Sequence, residues 1–185
     1  MLVAREELKQ LMKKKFIAAG LHEDHAEAMA EVLTWSSERG LHSHGEVRVE
    51  YYTERISKGG ITVDPKWTWE ETGPCSGILD ADNGCGYPFA IMGLQKAMEM
   101  AKKSGIGVVG VKNISHSGAL GYYTEMAAKN DLCCLTMCRA LLRHESDRLR
   151  RSDCRRALRE LRHGNDGAGM GQDPRCQERR TLHPR

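Results

Sequence analysis

Gly105-Ile106-Gly107-Val108-Val109-Gly110-Val111-Lys112-Asn113-Ile114-Ser115-His116-Ser117-Gly118 is the stretch that decides the fold. Residues 106–111 are apolar and rich in β-branched side chains, as a strand is, and residues 113–118 are the polar, glycine-closed kind that form a loop. Its glycines match G-x-G-x-x-G literally, but the dinucleotide fingerprint must follow a strand and open a helix. Here the glycines follow a helix and lie in the strand itself, so tight strand packing explains them better.

Upstream, Pro88 suits a helix start, and Ile91, Leu94, Ala97, Met98 and Ala101 recur at helical spacing up to Lys102-Lys103, whose charge suits the end of a helix. Downstream, residues 119–129 read as a helix and 132–138 as another strand. Residues 67–71 and 76–79 read as short strands around the Thr72-Gly73-Pro74 turn, with a second turn at 82–86. The β-α-β-α-β order predicts an α/β domain with a partly parallel sheet.

The first forty residues are different. Leu2, Leu8, Leu11, Met12, Phe16 and Ile17 form one helical stripe ending at Gly20, and Ala26, Met29, Ala30, Val32 and Leu33 form a second before Gly40. These predict a helical hairpin whose stripes pack a core. Ser43-His44-Gly45-Glu46 has capping-box spacing and predicts a third helix with Ser43 as N-cap, carrying Val47, Val49, Tyr51, Tyr52 and Ile56.

Two histidines stand where chemistry is plausible. His44 would open the capped helix with Arg48 four residues on, so both share a face near the positive end of the dipole. Arg48 offers a bidentate fork for a carboxylate, and the dipole favours a neutral imidazole. The same spacing also fits a solvated capping turn. His116 follows the apolar strand, and loops at the C-terminal ends of parallel strands are where α/β proteins place general acids and bases. A structural histidine fits that position as well. His22 and His25, beside Glu23 and Asp24, read as surface residues.

Composition divides the chain. Residues 1–138 hold 11 Lys and 4 Arg against 18 acids, net −3, whereas the last 47 hold 13 Arg, no Lys and 7 acids, net +6. The basic segment has no Val, Ile, Phe, Tyr or Trp, so it lacks the residues of strands and dense cores. No signal peptide opens the sequence and no apolar run is long enough to span a membrane. Seven cysteines without an export signal point to a reducing cytoplasm. Cys133, Cys134 and Cys138, flanked by Leu132, Leu135 and Met137, read as buried strand thiols rather than metal ligands.

Taken together, Arg39-Gly40-Leu41-His42-Ser43-His44-Gly45, Tyr51-Tyr52-Thr53-Glu54-Arg55-Ile56, Asp80-Ala81-Asp82-Asn83-Gly84 and the Gly105–Gly118 stretch resemble the malate/L-lactate dehydrogenase family of NAD(P)-dependent 2-hydroxy acid oxidoreductases. The likeness runs through residues 1–138. Val47-Arg48-Val49-Glu50-Tyr51-Tyr52 and Glu70-Glu71-Thr72-Gly73-Pro74-Cys75-Ser76 are most similar to its ureidoglycolate-oxidising branch. The resemblance implies the family's α/β fold, here an N-terminal helical segment and an incomplete sheet domain. It also implies a small 2-hydroxy acid substrate, (S)-ureidoglycolate or else malate, lactate or 2,3-diketogulonate, with NAD or NADP as hydride acceptor, and homo-oligomers in full-length members. By resemblance, His116 is the proton acceptor and His44 joins it in catalysis. Arg48, Ser43 and Tyr52 bind substrate, and the cofactor residues are expected mostly beyond Cys138.

After Cys138 the resemblance stops, and residues 139–185 are expected to form a disordered tail. A basic helix for nucleic acid is one reading of the arginines. The other comes from the genetic code. Residues 142–147 can be encoded CTA CGG CAC GAA TCC GAC, and dropping the first base gives Tyr-Gly-Thr-Asn-Pro, the segment that the family would place next. Residues 161–172 likewise admit the family-like peptide Phe-Asp-Met-Ala-Thr-Thr-Val-Gln-Ala-Trp-Asp in a shifted frame. The tail is therefore read as an out-of-frame translation.

Overall fold

The computed structural model describes residues 3–138. Met1 and Leu2 lie outside the described residues, as do 139–185 with the basic-helix, disordered-tail and shifted-frame readings placed on them.

The helical hairpin forms as expected, from α1 (Arg5–Ala18) and α2 (Glu23–Glu38). Gly20, at φ +108°, makes the turn between them, a conformation that favours glycine. Met12 and Phe16 of α1 pack with Ala26, Met29, Ala30, Val32 and Leu33 of α2. The stripe on α1 is narrower than its sequence suggests, because Leu11 and Ile17 are exposed. The hairpin's rim is charged instead: Lys9 pairs with Glu27 and Glu31, Lys13 with Glu23 and Glu27, and Arg5 with Glu31 and Glu38.

Gly40 closes α2, and the chain then makes two 3-10 turns, His42–His44 and Glu46–Arg48, before α3 (Val49–Ser57). This corrects the capping box. Ser43 caps nothing, and the helix starts five residues later than that reading placed it. The cap comes from α2 instead: the Glu46 N–H donates to Ser37 Oγ at 3.1 Å, and Ser37 also bonds the Glu46 carboxylate. Burial pushes the Glu46 carboxyl up, but bonds from Ser37, its own N–H and His42 outweigh this and hold it below its ordinary value. Gly45 is buried against Ser37, where a Cβ would collide with the hydroxyl. α3 turns Val49, Tyr52 and Ile56 into the core and leaves Tyr51 outside, as the turn before it leaves Val47.

The sheet has the order β1-β2-β3, from β1 (Thr68–Gly73), β2 (Ser76–Gly84) and β3 (Val108–Ile114). β1 and β2 form an antiparallel hairpin, with Trp69 opposite Leu79, and β2 and β3 run parallel, with Leu79 opposite Val111. A parallel pair needs a crossover, which α4 (Gly86–Ser104) supplies. Gly105, at φ +80°, ends α4, and at Gly107 a Cβ would strike the Ala97 carbonyl. Glycine here lets the strand lie close on the helix, as the rejection of the dinucleotide loop requires. Leu79, Ala81 and Phe89 form the buried core on this side. The expected turn at 82–86 is shorter than its composition suggests. Asp82 and Asn83 do take positive φ, but β2 continues to Gly84, which bridges to Thr62 and whose carbonyl accepts from Ser115 N–H.

After β3 comes α5 (Gly121–Ala128). The final expected strand, 132–138, does not form a ladder among the described residues. Leu135 and Met137 are more than 80% exposed, Cys133 and Cys138 are exposed, and Cys134 is half-buried. The thiols are therefore not buried strand residues. An apolar composition does not make a strand without a partner edge to supply its backbone hydrogen bonds.

Candidate active site

His116 sits in the loop that leaves the C-terminal end of β3, beside the first turn of α4. Three contacts fix this loop. Ser115 N–H donates to the Gly84 carbonyl at 3.1 Å, Gly86 N–H donates to Ser115 Oγ at 2.9 Å, and Tyr123 Oη donates to the Ser117 carbonyl at 2.5 Å. Gly86 and Gly118 allow the approach: a Cβ at Gly86 would collide with the His116 carbonyl, and one at Gly118 (φ +79°) would lie 2.5 Å from Cε1 of Tyr87.

All five residues singled out in the sequence come together here. Tyr52, buried on α3, places its hydroxyl 2.6 Å from His116 Nδ1, with the two rings stacked at an interplanar angle of 18°. The His44 and His116 rings are 5.7 Å apart. Ser43 Oγ is 3.0 Å from His44 Nδ1, and Arg48 Nε donates to the Ser43 carbonyl at 2.6 Å. Arg48 and His44 thus join through the Ser43 backbone in two short turns, rather than along one face of a capped helix. Arg48 also packs its guanidinium 5.8 Å from the Tyr51 ring.

The electrostatics favour a neutral His116. Partial burial lowers its pKa, and the nearby charges of His44 and Arg48 lower it further. Burial raises the pKa of Tyr52. A neutral imidazole close to a cationic fork is the pairing needed to hold a carboxylate and exchange one proton with a neighbouring oxygen.

The sequence reading missed two residues. Tyr87 is buried in the first turn of α4 and donates to the Tyr52 hydroxyl at 2.9 Å. Its signal was weak, an aromatic between Gly86 and Pro88 at a helix start. His25 was read as a surface residue but is half-buried edge-on against Phe89, with Nδ1 buried and unpaired among the described residues. Its position on the inner side of α2 overrode the charged sequence around it. His22 is exposed as expected.

Comparison with known proteins identifies the relatives of this chain. The chain is 49% identical over 140 residues to an Escherichia coli O157:H7 protein named ureidoglycolate dehydrogenase (NAD(+)), covering 76% of this chain and 40% of that protein. It is 34% identical over 137 residues to malate/(S)-sulfolactate dehydrogenase of Methanothermus fervidus, again covering 40% of the relative. The chain thus spans about two-fifths of the length of these curated relatives. Among solved structures, malate dehydrogenase from Pyrococcus horikoshii superposes with a TM-score of 0.68 at 32% identity, over 70% of this chain and 37% of that one. Because the malate/L-lactate dehydrogenase family model matches residues 3–144, a span that holds both the helical hairpin and the His116 loop, the chain belongs to the malate/L-lactate dehydrogenase family.

Proposed function

We propose that this chain carries the proton-transfer and carboxylate-binding half of a 2-hydroxy acid dehydrogenase site, acting on (S)-ureidoglycolate with NAD. The observation that supports it is the linked set Arg48, Ser43, His44, His116 and Tyr52 at the end of a parallel strand. In the oxidative direction His116 takes the proton of the substrate hydroxyl, and NAD, when bound, would supply the acceptor for the hydride from the same carbon. Arg48 holds the carboxylate, and Ser43 and Tyr52 keep His44 and His116 in place. The preference for ureidoglycolate, and for NAD over NADP, rests on the names of the relatives.

Two cavities, of about 390 and 630 Å³, are lined by Trp35, Arg39 and Glu125 and by Lys13, His22 and Glu27 respectively, and neither includes His116. The tail remains proposed as an out-of-frame reading of the family's continuation, and sequencing the coding DNA decides it.

The function is tested with protein whose frame is restored after Cys138. Ureidoglycolate-dependent NAD reduction is expected, with malate, lactate and 2,3-diketogulonate weaker. His116→Ala should lower turnover by about a hundredfold to ten-thousandfold, and full activity in that variant overturns the role.

A further inference from the structure

We propose that Tyr87 is a positioning residue which, acting through Tyr52, holds neutral His116 in its Nε2–H tautomer. Two hydrogen bonds meet at His116 Nδ1. Gly118 N–H lies 3.3 Å away, and a backbone N–H can only donate, so Nδ1 must present its lone pair. The Tyr52 hydroxyl lies 2.6 Å from the same atom and accepts from Tyr87 at 2.9 Å. With its oxygen engaged by Tyr87, Tyr52 has its single proton for His116. The chain therefore runs Tyr87 to Tyr52 to His116, each bond polarising the next.

The opposite polarity fails at its far end. If Nδ1–H donated to Tyr52 and Tyr52 to Tyr87, the Tyr87 proton would need an acceptor. Tyr87 is fully buried, and among the described residues its hydroxyl hydrogen-bonds only to Tyr52. Burying an unsatisfied donor is a state that folded proteins avoid. The neighbouring groups do not disturb this. His44 and Arg48 oppose a second proton on His116, and the Cys85 thiol, pushed up to about 12 by burial, stays neutral.

The remaining proton sits on Nε2, which has no partner among the described residues. On the function proposed above, which this consequence alone rests on, the resting site offers a donor to the carbonyl oxygen of a 2-oxo acid. A 2-hydroxy acid that is to lose its hydroxyl proton must meet the other tautomer. The resting site is thus set for the product of oxidation, and alcohol oxidation must first meet the cost of the tautomer that breaks the tyrosine chain.

The tautomer can be read without substrate or cofactor, by long-range 1H–15N NMR on the 185-residue chain labelled at histidine, with His116→Gln to assign the signal. Above the titration of His116 the wild type should show the Nε2–H form. Tyr87→Phe keeps the ring against Gly118 and removes the donor. It should raise the Nδ1–H to Nε2–H ratio about fivefold, the equivalent of one ordinary hydrogen bond, and raise the His116 pKa, because the bond to its lone pair favours the neutral form. Tyr52→Phe should do more of both. If Tyr87→Phe does not fold, 3-fluorotyrosine at position 87, a stronger donor of nearly the same shape, must lower the His116 pKa. A wild-type spectrum in the Nδ1–H form overturns the proposal, as does a Tyr87 substitution that leaves both ratio and pKa unchanged. None of these outcomes depends on turnover, so failure here and failure of the dehydrogenase reading are distinct.

Discussion

The helical layer and the sheet layer of this molecule are built to different standards of closure. α1, α2 and α3 enclose a core that runs from Met12 to Tyr87 and includes Phe16, Met29, Leu33 and Tyr52 at near-zero exposure. The sheet buries Leu79, Ala81 and Phe89 against α4 but leaves Ile106 and Val108 more than half exposed, and β3 is an edge strand among the described residues. The candidate site draws on both. Tyr52 comes from the closed layer and His116 from the loop after the open edge, so the firmer half sets where the looser half's histidine rests.

The sharpest test of this contrast compares two fully buried leucines. Leu33→Ala on α2 and Leu79→Ala on β2 each remove the same atoms, and such changes cost about 2–5 kcal/mol depending on how far the site collapses. Leu33→Ala should fall near the upper end and Leu79→Ala near the lower, measured by denaturant unfolding. Equal costs, or the reverse order, would break the comparison.

Gly107→Ala probes the joint between α4 and β3. The added methyl meets the Ala97 backbone carbonyl, which cannot move aside as a flexible side chain would, so a loss of about 1–3 kcal/mol is expected. Gly110→Ala, with only a distant contact to Ile78, should cost less.

Acidity tests both layers together. Burial lowers the pKa values of His25, which packs α2 on Phe89, and of His116. Below the ordinary histidine value near 6.5 the unfolded chain takes up protons that the folded one refuses, so stability falls as pH drops from there toward the lowered folded values. His25→Phe should flatten part of that slope in pH-dependent unfolding. At lower pH the carboxyl of Glu27, held down chiefly by its bond from Lys9, adds a further loss as it protonates. The smallest effect belongs to the charged rim: Lys9→Met should change stability by less than about 1 kcal/mol, read by the same unfolding curves.

Much of this layout is legible in the sequence because periodicity reports burial. The two helical stripes, the α4 crossover and the strand leading to His116 each follow from spacing, and the likeness to a known family pointed to the residues that the structure gathers around His116. What was not legible depended on residues distant in sequence. Ser43 matched a capping box, but the hydroxyl that satisfies Glu46 belongs to Ser37, nine residues earlier on a different helix. Residues 132–138 have strand composition, yet a strand exists only where another edge receives it. His25 and Tyr87 owe their roles to neighbours that local sequence does not reveal.

The loop around His116 also has a mechanical side. Ser115, Ser117 and Gly118 are held from three elements, β2 through Gly84, α4 through Gly86 and Tyr87, and α5 through Tyr123. A proton moves only across a short, aligned gap, and thermal swinging of the imidazole would make that alignment rare. The residues that clamp the backbone exchange no proton with any ligand, yet they determine what fraction of the time His116 is in position to do so. Changes at Gly86 would therefore act on the frequency of productive encounters and leave the acidity of the group that makes them largely intact.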